Sequence, residues 1–483
     1  MWTEAGWTEA GGPRAPGGGV SRRELLWRAG GGLGGIALAQ LLGREQALAQ
    51  SPTPGARPRA QRVVQLFMSG AASQCDMFDH KPLLTERNGE AWNPGEEVEL
   101  FQSAPGHVMA SPWKWSQHGE CGRWMSGLVP RLAECVDDIA FVHSMTSTSN
   151  VHGPATFLES TGFLNPGFPS MGSWIAYGLG SENDDLPTFV CLPDDRGLPP
   201  GGPKNWGAGF LPAQHQATVI QPGAAEPIPN LFPPQDADLG AARDAADRDL
   251  VTELNRRHLE GRAGDSRLEA RIRAYELAAR LQVAGPEVLD LSGESKATRE
   301  AYGVDDPATA SFGRRCLIAR RLLERGVRFV QVWSGADNGF PRRNWDSHED
   351  LERDHGAMGR SMDGPAAALI QDLKRLGLLD DTIVHWTTEF GRMPCSQGSL
   401  GRDHNPFGFT NWLAGGGIKG GVTYGATDEW SWKAVDRPTT NYDVHATILH
   451  ALGIDHTKLV VRTDGIDRRL TDVHGKVLHD LLA

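Results

Sequence analysis

Residues 364–392 read GPAAALIQDLKRLGLLDDTIVHWTTEFGR, and the order of elements in this stretch decides the fold. Residues 364–381 read as a helix, and TIVHWTT (382–388) is β-branched and apolar enough to be a buried strand. The same order recurs in SFGRRCLIARRLLERGVRFVQVWSG (311–335), where an amphipathic helix with Cys316, Ile318, Leu322 and Leu323 inward feeds a second strand. Upstream, RVVQLFMSG (62–70), DDIAFVHSM (137–145) and LPTFVCLP (186–193) read as short apolar strands, and HGPATFLESTG (152–162) as a helix closed by Gly162. Helix–strand alternation of this kind predicts an α/β protein, three layers α/β/α around a mainly parallel central sheet. The carboxyl ends of such strands share one rim, where ligands bind. The quoted strand delivers Glu389 and Arg392 to that rim, and Asp403-His404 follows a short loop later.

With 483 residues the chain is long enough for one large domain or two ordinary ones. Its 39% hydrophobic and 22% charged residues describe a soluble globular protein, and its 59 glycines and 31 prolines predict long ordered loops. A net charge of −12 without a basic stripe argues against a nucleic-acid partner and against an anionic membrane surface. The stretch SRRELLWRAGGGLGGIALAQLLGREQALAQ (21–50) pairs Arg22 and Arg23 with a weakly apolar run and ends in a small-residue cleavage pattern at Ala47–Ala49. Residues 1–49 are therefore expected to be a twin-arginine signal. It would engage the Tat export machinery and leave the mature chain periplasmic or extracellular, with no integral membrane span. A retained anchor is the alternative, but the run from Ala29 to Gly43 is short and broken by glycine.

Residues 50–61 read as a Pro-rich linker and 62–483 as a single domain. Within it, 194–236 is a Pro/Gly-rich loop expected around a site, and residues near 239–305 form a helical insertion. The six cysteines show no CxxC, so a cysteine-held zinc or an iron–sulfur cluster is not expected. Fingerprints of dinucleotide, P-loop, nucleophile-elbow and HExxH enzymes are absent from the sequence.

Polar groups gather after four strands: Ser73, Gln74, Asp76 and Asp79; Ser144 to His152; Asp346 and His348; and Glu389 with Asp403 and His404. Carboxylates and imidazoles in this number bind divalent ions such as Zn, Ca, Mn or Mg. An ion of that kind holds an anionic ester and activates a hydroxyl or water against it. On a strand, Asp346 and His348 would share a face. Plainer readings compete. Asp346 and His348 would cap a helix starting near Glu349, Glu389 and Arg392 would be a buried ion pair, and His404 would satisfy a loop carbonyl. Thr146 to Asn150 would be a hydroxyl-rich turn. His445 and His450, in DVHATILHALG (443–453), fit a packed helix better than a ligand pair.

The segments SQCDMFDHKP, SMGSWIAYGLG, WDSHE, TEFGR, GRDHNPFGFTNWLAGGGIKGG and DVHATILHALGID closely resemble one family of exported bacterial proteins, the domain-of-unknown-function family numbered 1501, often labelled sulfatase-like. That family is placed in the alkaline-phosphatase-like superfamily. The resemblance covers the mature chain from about Val63 to Asp467. It implies that Asp346 and His348 in WDSHE and His404 in GRDHNP hold a metal ion, with Glu389 in TEFGR and Asp76 at or near a second metal position. It also implies Thr148 or Ser149 as nucleophile with His152 beside it. Two departures stand out. Glu389-Phe390 replaces the superfamily's Asp-His pair, and CLPDDR at Cys191 has Asp where the sulfatase signature needs Ser.

The expectation is an exported metal-dependent hydrolase of phosphate or sulfate esters acting on an anionic small molecule or glycan. Thr148 or Ser149 would attack, and Arg392 or Arg402 would pair with the substrate's anion. The alternative is a non-catalytic binding protein with a degenerate metal site, for anionic glycans that the 15 tryptophans would help to stack.

Overall fold

A computed structural model describes residues 58–98, 100, 104–229, 231, 241–260, 262, 266–336 and 342–483. The expected signal, residues 1–49, and linker residues 50–57 lie outside the described residues. Strand β1 (Arg62–Met68) lies mid-sheet, with β2 (Ile139–Thr146), β3 (Phe189–Leu192), β4 (Thr218–Val219), β5 (Phe329–Ser334) and β6 (Thr382–Thr387). Two short strands form a hairpin outside the main sheet, β7 (Gly391–Gln397) and β8 (Gly401–Asn405). The main sheet is completed by β9 (Phe409–Ala414), β10 (Thr423–Tyr424) and β11 (Thr439–Thr440). Its order is β10-β2-β9-β6-β1-β5-β3-β4, with β11 also on β2. β1 runs parallel to both β5 and β6, and β3 joins β5 and β4 the same way. β10 and β11 are parallel to β2. β9 is the antiparallel member, between β2 and β6.

The sheet is buried on both faces because its strands are apolar on both. Val64, Leu66 and Met68 of β1 join one core cluster, while Val63 and Phe67 join the other, as the two-residue repeat of a strand requires. The principal helices are α1 (His152–Thr161), α2 (Met171–Leu179), α3 (Ala241–Glu260), α4 (Ser266–Leu289), α5 (Lys296–Ala301), α6 (Ala310–Glu324), α7 (Leu351–Arg375) and α8 (Asn441–Ala451). The first face carries α6 and α7, with Cys316, Ile318, Leu322 and Leu323 buried as their spacing demands. α2 and α8 cover the second. This is the expected three-layer α/β/α arrangement. The expected insertion supplies α3, α4 and α5.

Two boundaries differ from the sequence reading. The helix expected from residue 364 begins at Leu351, because Leu351, Met358 and Met362 continue the same buried stripe and Pro365 lies within it. Its N-cap is Asp350, whose side chain accepts from Arg353 N at 2.9 Å, so Asp346 and His348 are not its cap. The expected loop after β6 is instead the β7–β8 hairpin, with His404 opposite Arg392 and a bulge between Arg402 and His404. Asp346 and His348 lie in a loop rather than on a strand. Gly162 ends α1 in the left-handed region, as expected. Among the described residues, no helix is long and apolar enough to cross a membrane.

Candidate metal centre

β2 is antiparallel to β9 and β9 to β6, so β2 points the same way as β6, β1 and β5. Their carboxyl ends therefore open on one rim, as α/β architecture prescribes. From β2 the chain reaches His152, the first residue of α1. From β5 it reaches a loop carrying Asp346 and His348, pinned to the end of β1 by Trp345 N donating to Ser69 O at 3.0 Å. From β6 it reaches Glu389, and the hairpin then returns His404. Gly70 makes this convergence possible: its φ is +109°, and a Cβ there would lie 2.6 Å from Trp345 N and 2.7 Å from Asp346 N.

His152, Asp346, His348 and His404 each offer one ligand atom, and these four atoms lie within 4.8 Å of one another. Asp346 Oδ1 is the hub. The Nε2 atoms of His348, His152 and His404 stand 2.7, 3.1 and 3.3 Å from it, and those of His348 and His404 are 3.0 Å apart. Such separations are close to the edge lengths, about 2.9–3.4 Å, of a polyhedron whose ligands stand about 2.0–2.1 Å from a central ion.

Each imidazole is held by its other nitrogen. His152 Nδ1 donates to Glu389 Oε1 at 2.7 Å, His404 Nδ1 to the Asn150 carbonyl at 2.6 Å, and His348 Nδ1 to Gln397 Oε1. A proton fixed at Nδ1 leaves the Nε2 lone pair directed inward, the tautomer a metal-binding histidine requires. His152 Nε2 is buried without a hydrogen-bond partner. These donors fit a divalent ion.

The electrostatics agree. Burial works against ionisation of Asp346, but the Arg392 guanidinium at 2.6 Å and the three imidazoles hold its carboxyl far below the usual range. Burial opposes charge on His152 too, yet the carboxylates of Asp346 and Glu389 on either side of the ring lift it to about 9. Burial pushes His404 down to about 3, opposed by its bond to Asp346 and helped by Arg392. Anionic Asp346 thus sits where positive charge is wanted.

The remaining sequence candidates fall around this cluster rather than in it. Glu389 stands one bond away, behind His152, and also accepts from Gly70 N at 2.8 Å. Asp76 is outside the group: both its carboxylate oxygens take the Arg402 guanidinium, at 2.8 and 3.1 Å, with neither side chain exposed. Arg392 is fully buried, spending its donors on Asp346 and on the carbonyls of Gly70, Ala71, Trp345 and Arg402. Arg402 also donates to the carbonyls of Met393 and Met109. Neither arginine side chain is exposed.

Ser149 belongs to a local turn, its Oγ accepting from Val151 N at 3.1 Å. Thr148 is exposed on the same loop, two residues before the carbonyl that anchors His404. His445 Nε2 meets the Glu159 carbonyl at 2.9 Å inside α8, away from the rim. Sequence reasoning placed His152 beside a nucleophile, not among the ligands. It also passed over Arg342, which reaches Asp346 Oδ2 at 3.1 Å from the edge of the site.

A family model described as "Protein of unknown function (DUF1501)" matches residues 60–482. The chain belongs to the DUF1501 family. No curated protein matches it. Among solved structures, this DUF1501 chain is similar to a phosphonate monoester hydrolase from Silicibacter pomeroyi, at 12% identity over 73% of this chain and 71% of that one, with a TM-score of 0.33. It is also similar to the PsFucS1 sulfatase from Pseudoalteromonas sp., at 10% identity over 88% and 77%, TM-score 0.33. A third is the TAB5 alkaline phosphatase, a variant with magnesium bound, at 8% identity over 82% and 98%, TM-score 0.33.

Proposed function

We propose that this DUF1501 protein is an exported, metal-dependent hydrolase of phosphate or sulfate esters. The observation that carries the reading is the convergence of three Nδ1-anchored imidazoles on Asp346 Oδ1. The sequence resemblance to the alkaline-phosphatase-like superfamily supplies the ester class. Three nitrogens to one oxygen suit a borderline ion such as Zn²⁺ or Mn²⁺ better than the all-oxygen preference of Ca²⁺ or Mg²⁺. An ion held by His152, Asp346, His348 and His404 would supply Lewis acidity toward an ester oxygen. The chain's own groups then have separate tasks. Glu389, Gln397 and the Asn150 carbonyl keep the imidazoles aimed, Arg392 fixes Asp346, and exposed Thr148 is the candidate attacking hydroxyl. Export follows from the paired arginines Arg22 and Arg23, and we place the working protein in the periplasm or outside the cell.

Elemental analysis of the purified full-length chain, with turnover of aryl phosphate and aryl sulfate, tests this. Stoichiometric transition metal, lost together with hydrolysis in His348→Ala, is the expected result. A metal-free chain with unaltered stability would refute it. The second reading, an anion-binding protein, draws on Ser149, whose hydroxyl is committed to its own turn. Metal with oxyanion binding but no turnover of either ester would establish that reading instead.

A further inference from the structure

Of the arginines at and behind this site, Arg392 and Arg402 are wholly spent on backbone carbonyls and buried carboxylates. Arg342 is different. It stands at the solvent edge with its side chain 15% exposed, one amino group 3.1 Å from Asp346 Oδ2. The rest of its fork clasps Glu349: Nε donates to Oε2 at 3.1 Å and the second amino group to Oε1 at 2.7 Å. Glu349 directly follows the ligand His348, and its side chain is 52% exposed. A parallel two-point bond from guanidinium to carboxylate is the geometry that also captures two oxygens of a tetrahedral oxyanion. Pairing to a half-solvated carboxylate contributes little to the fold, so it is readily exchanged.

We infer that Arg342 is the residue that recognises the substrate's oxyanion, and that Glu349 occupies its fork as an internal stand-in which the substrate displaces. The inference rests on the hydrolase reading and deepens it, giving the anionic end of the ester a specific contact beside Asp346. Arg342 is not a ligand, so its loss spares the metal. Glu349 is a competitor, so its loss improves binding. That opposite sign separates a stand-in from a carboxylate that merely orients Arg342.

Inorganic phosphate, and in a second arm sulfate, is titrated calorimetrically into the metal-containing full chain, with metal content measured in every variant. Arg342→Gln should weaken phosphate at least tenfold, and Arg342→Lys, which keeps the charge without the fork, should fall between it and the wild type. Glu349→Gln should tighten binding about two- to fivefold, the range an exposed pair can withhold. The stronger response of phosphate or sulfate tells which ester the fork suits. Unchanged phosphate affinity in Arg342→Gln, or equal or weaker affinity in Glu349→Gln, overturns the inference and leaves the hydrolase reading standing. A metal-loaded chain that binds neither ion, with or without Glu349, removes both.

Discussion

Glu389→Gln tests the metal centre without touching a ligand. The buried Glu389 carboxylate receives His152 Nδ1 at 2.7 Å and Gly70 N at 2.8 Å on Oε1, and Thr388 Oγ1 at 3.3 Å on Oε2. Glutamine has the same shape and retains an acceptor at Oε1, so His152 stays oriented; what disappears is the negative charge behind the ring. A carboxylate in that position makes the opposite nitrogen a better donor, and loss of such partners generally costs about 10–100-fold in metal affinity. Because the hydrogen bond survives here, the lower end applies, about tenfold or ~1.4 kcal/mol. Glu389→Ala, which frees both His152 and Gly70 N, should lie near the hundredfold end. With free metal at about a thousand times the wild-type Kd, binding stabilises the fold by ~4.1 kcal/mol, and the glutamine variant should retain ~2.7 kcal/mol. Competition against a chelator of known affinity gives the first quantity, and urea unfolding at fixed free metal with and without chelator gives the second. A variant whose Kd stays within twofold of wild type would refute the role of Glu389. A wild type whose unfolding ignores the chelator would refute the metal centre itself.

Asp76→Asn should leave metal stoichiometry intact, since Asp76 is bound to Arg402 and not to the cluster, whereas Arg402→Met strands the Asp76 charge in the core and should cost about 3–5 kcal/mol in denaturant unfolding. Gly401→Ala would force a Cβ into the His348 carbonyl, so metal content should fall together with stability; a loaded, fully stable variant would show that the loop yields. Glu159 gives a pH signature. Burial, reinforced by the charge of Glu389, raises its carboxyl to about 7. The folded chain therefore keeps a proton that the unfolded chain releases near 4.5, and stability falls as pH rises through that window. Glu159→Gln, unable to ionise, should exceed wild-type stability above pH 7 by about 3 kcal/mol and match it near pH 4.5, as unfolding at a series of pH values would reveal.

The strands were legible because β-branched runs such as TIVHWTT leave few alternatives, and their order announced the parallel sheet. The β7–β8 hairpin was hidden for a physical reason. All but one of the residues in its two strands are buried, yet GRDHN is charged, and buried charges that are paired read from sequence as a solvated loop. Three of the four candidate ligands were legible. Asp346 and His348 follow the end of β5, and His404 sits on the hairpin that follows β6, on the rim where ligands are expected. The family resemblance added Glu389, and the first carboxylate after β1 added Asp76; the fold turns these two toward His152 and Arg402. His152 was visible as the residue opening α1, but sequence holds no record of which imidazole nitrogen is engaged. That engagement, by Glu389, is what makes His152 a candidate ligand.

The two arginines read from sequence as substrate contacts serve a different need. A rim built from loops strands backbone carbonyls that no strand or helix partner can reach, and buried carbonyls need donors. A guanidinium carries five N–H groups in a rigid fork. Arg392 spends its donors on Ala71 O, Gly70 O, Trp345 O and Arg402 O as well as on Asp346. It thereby ties the exits of β1 and β5 to the β7–β8 hairpin, the three segments that deliver Gly70, Asp346 and His404. Arg402 performs the same task one step outward, joining Asp76 to the Met393 and Met109 carbonyls. Both are buried and tie the cluster's segments together, whereas Arg342 touches Asp346 from the solvent edge, which is why the proposed anion contact is assigned to it.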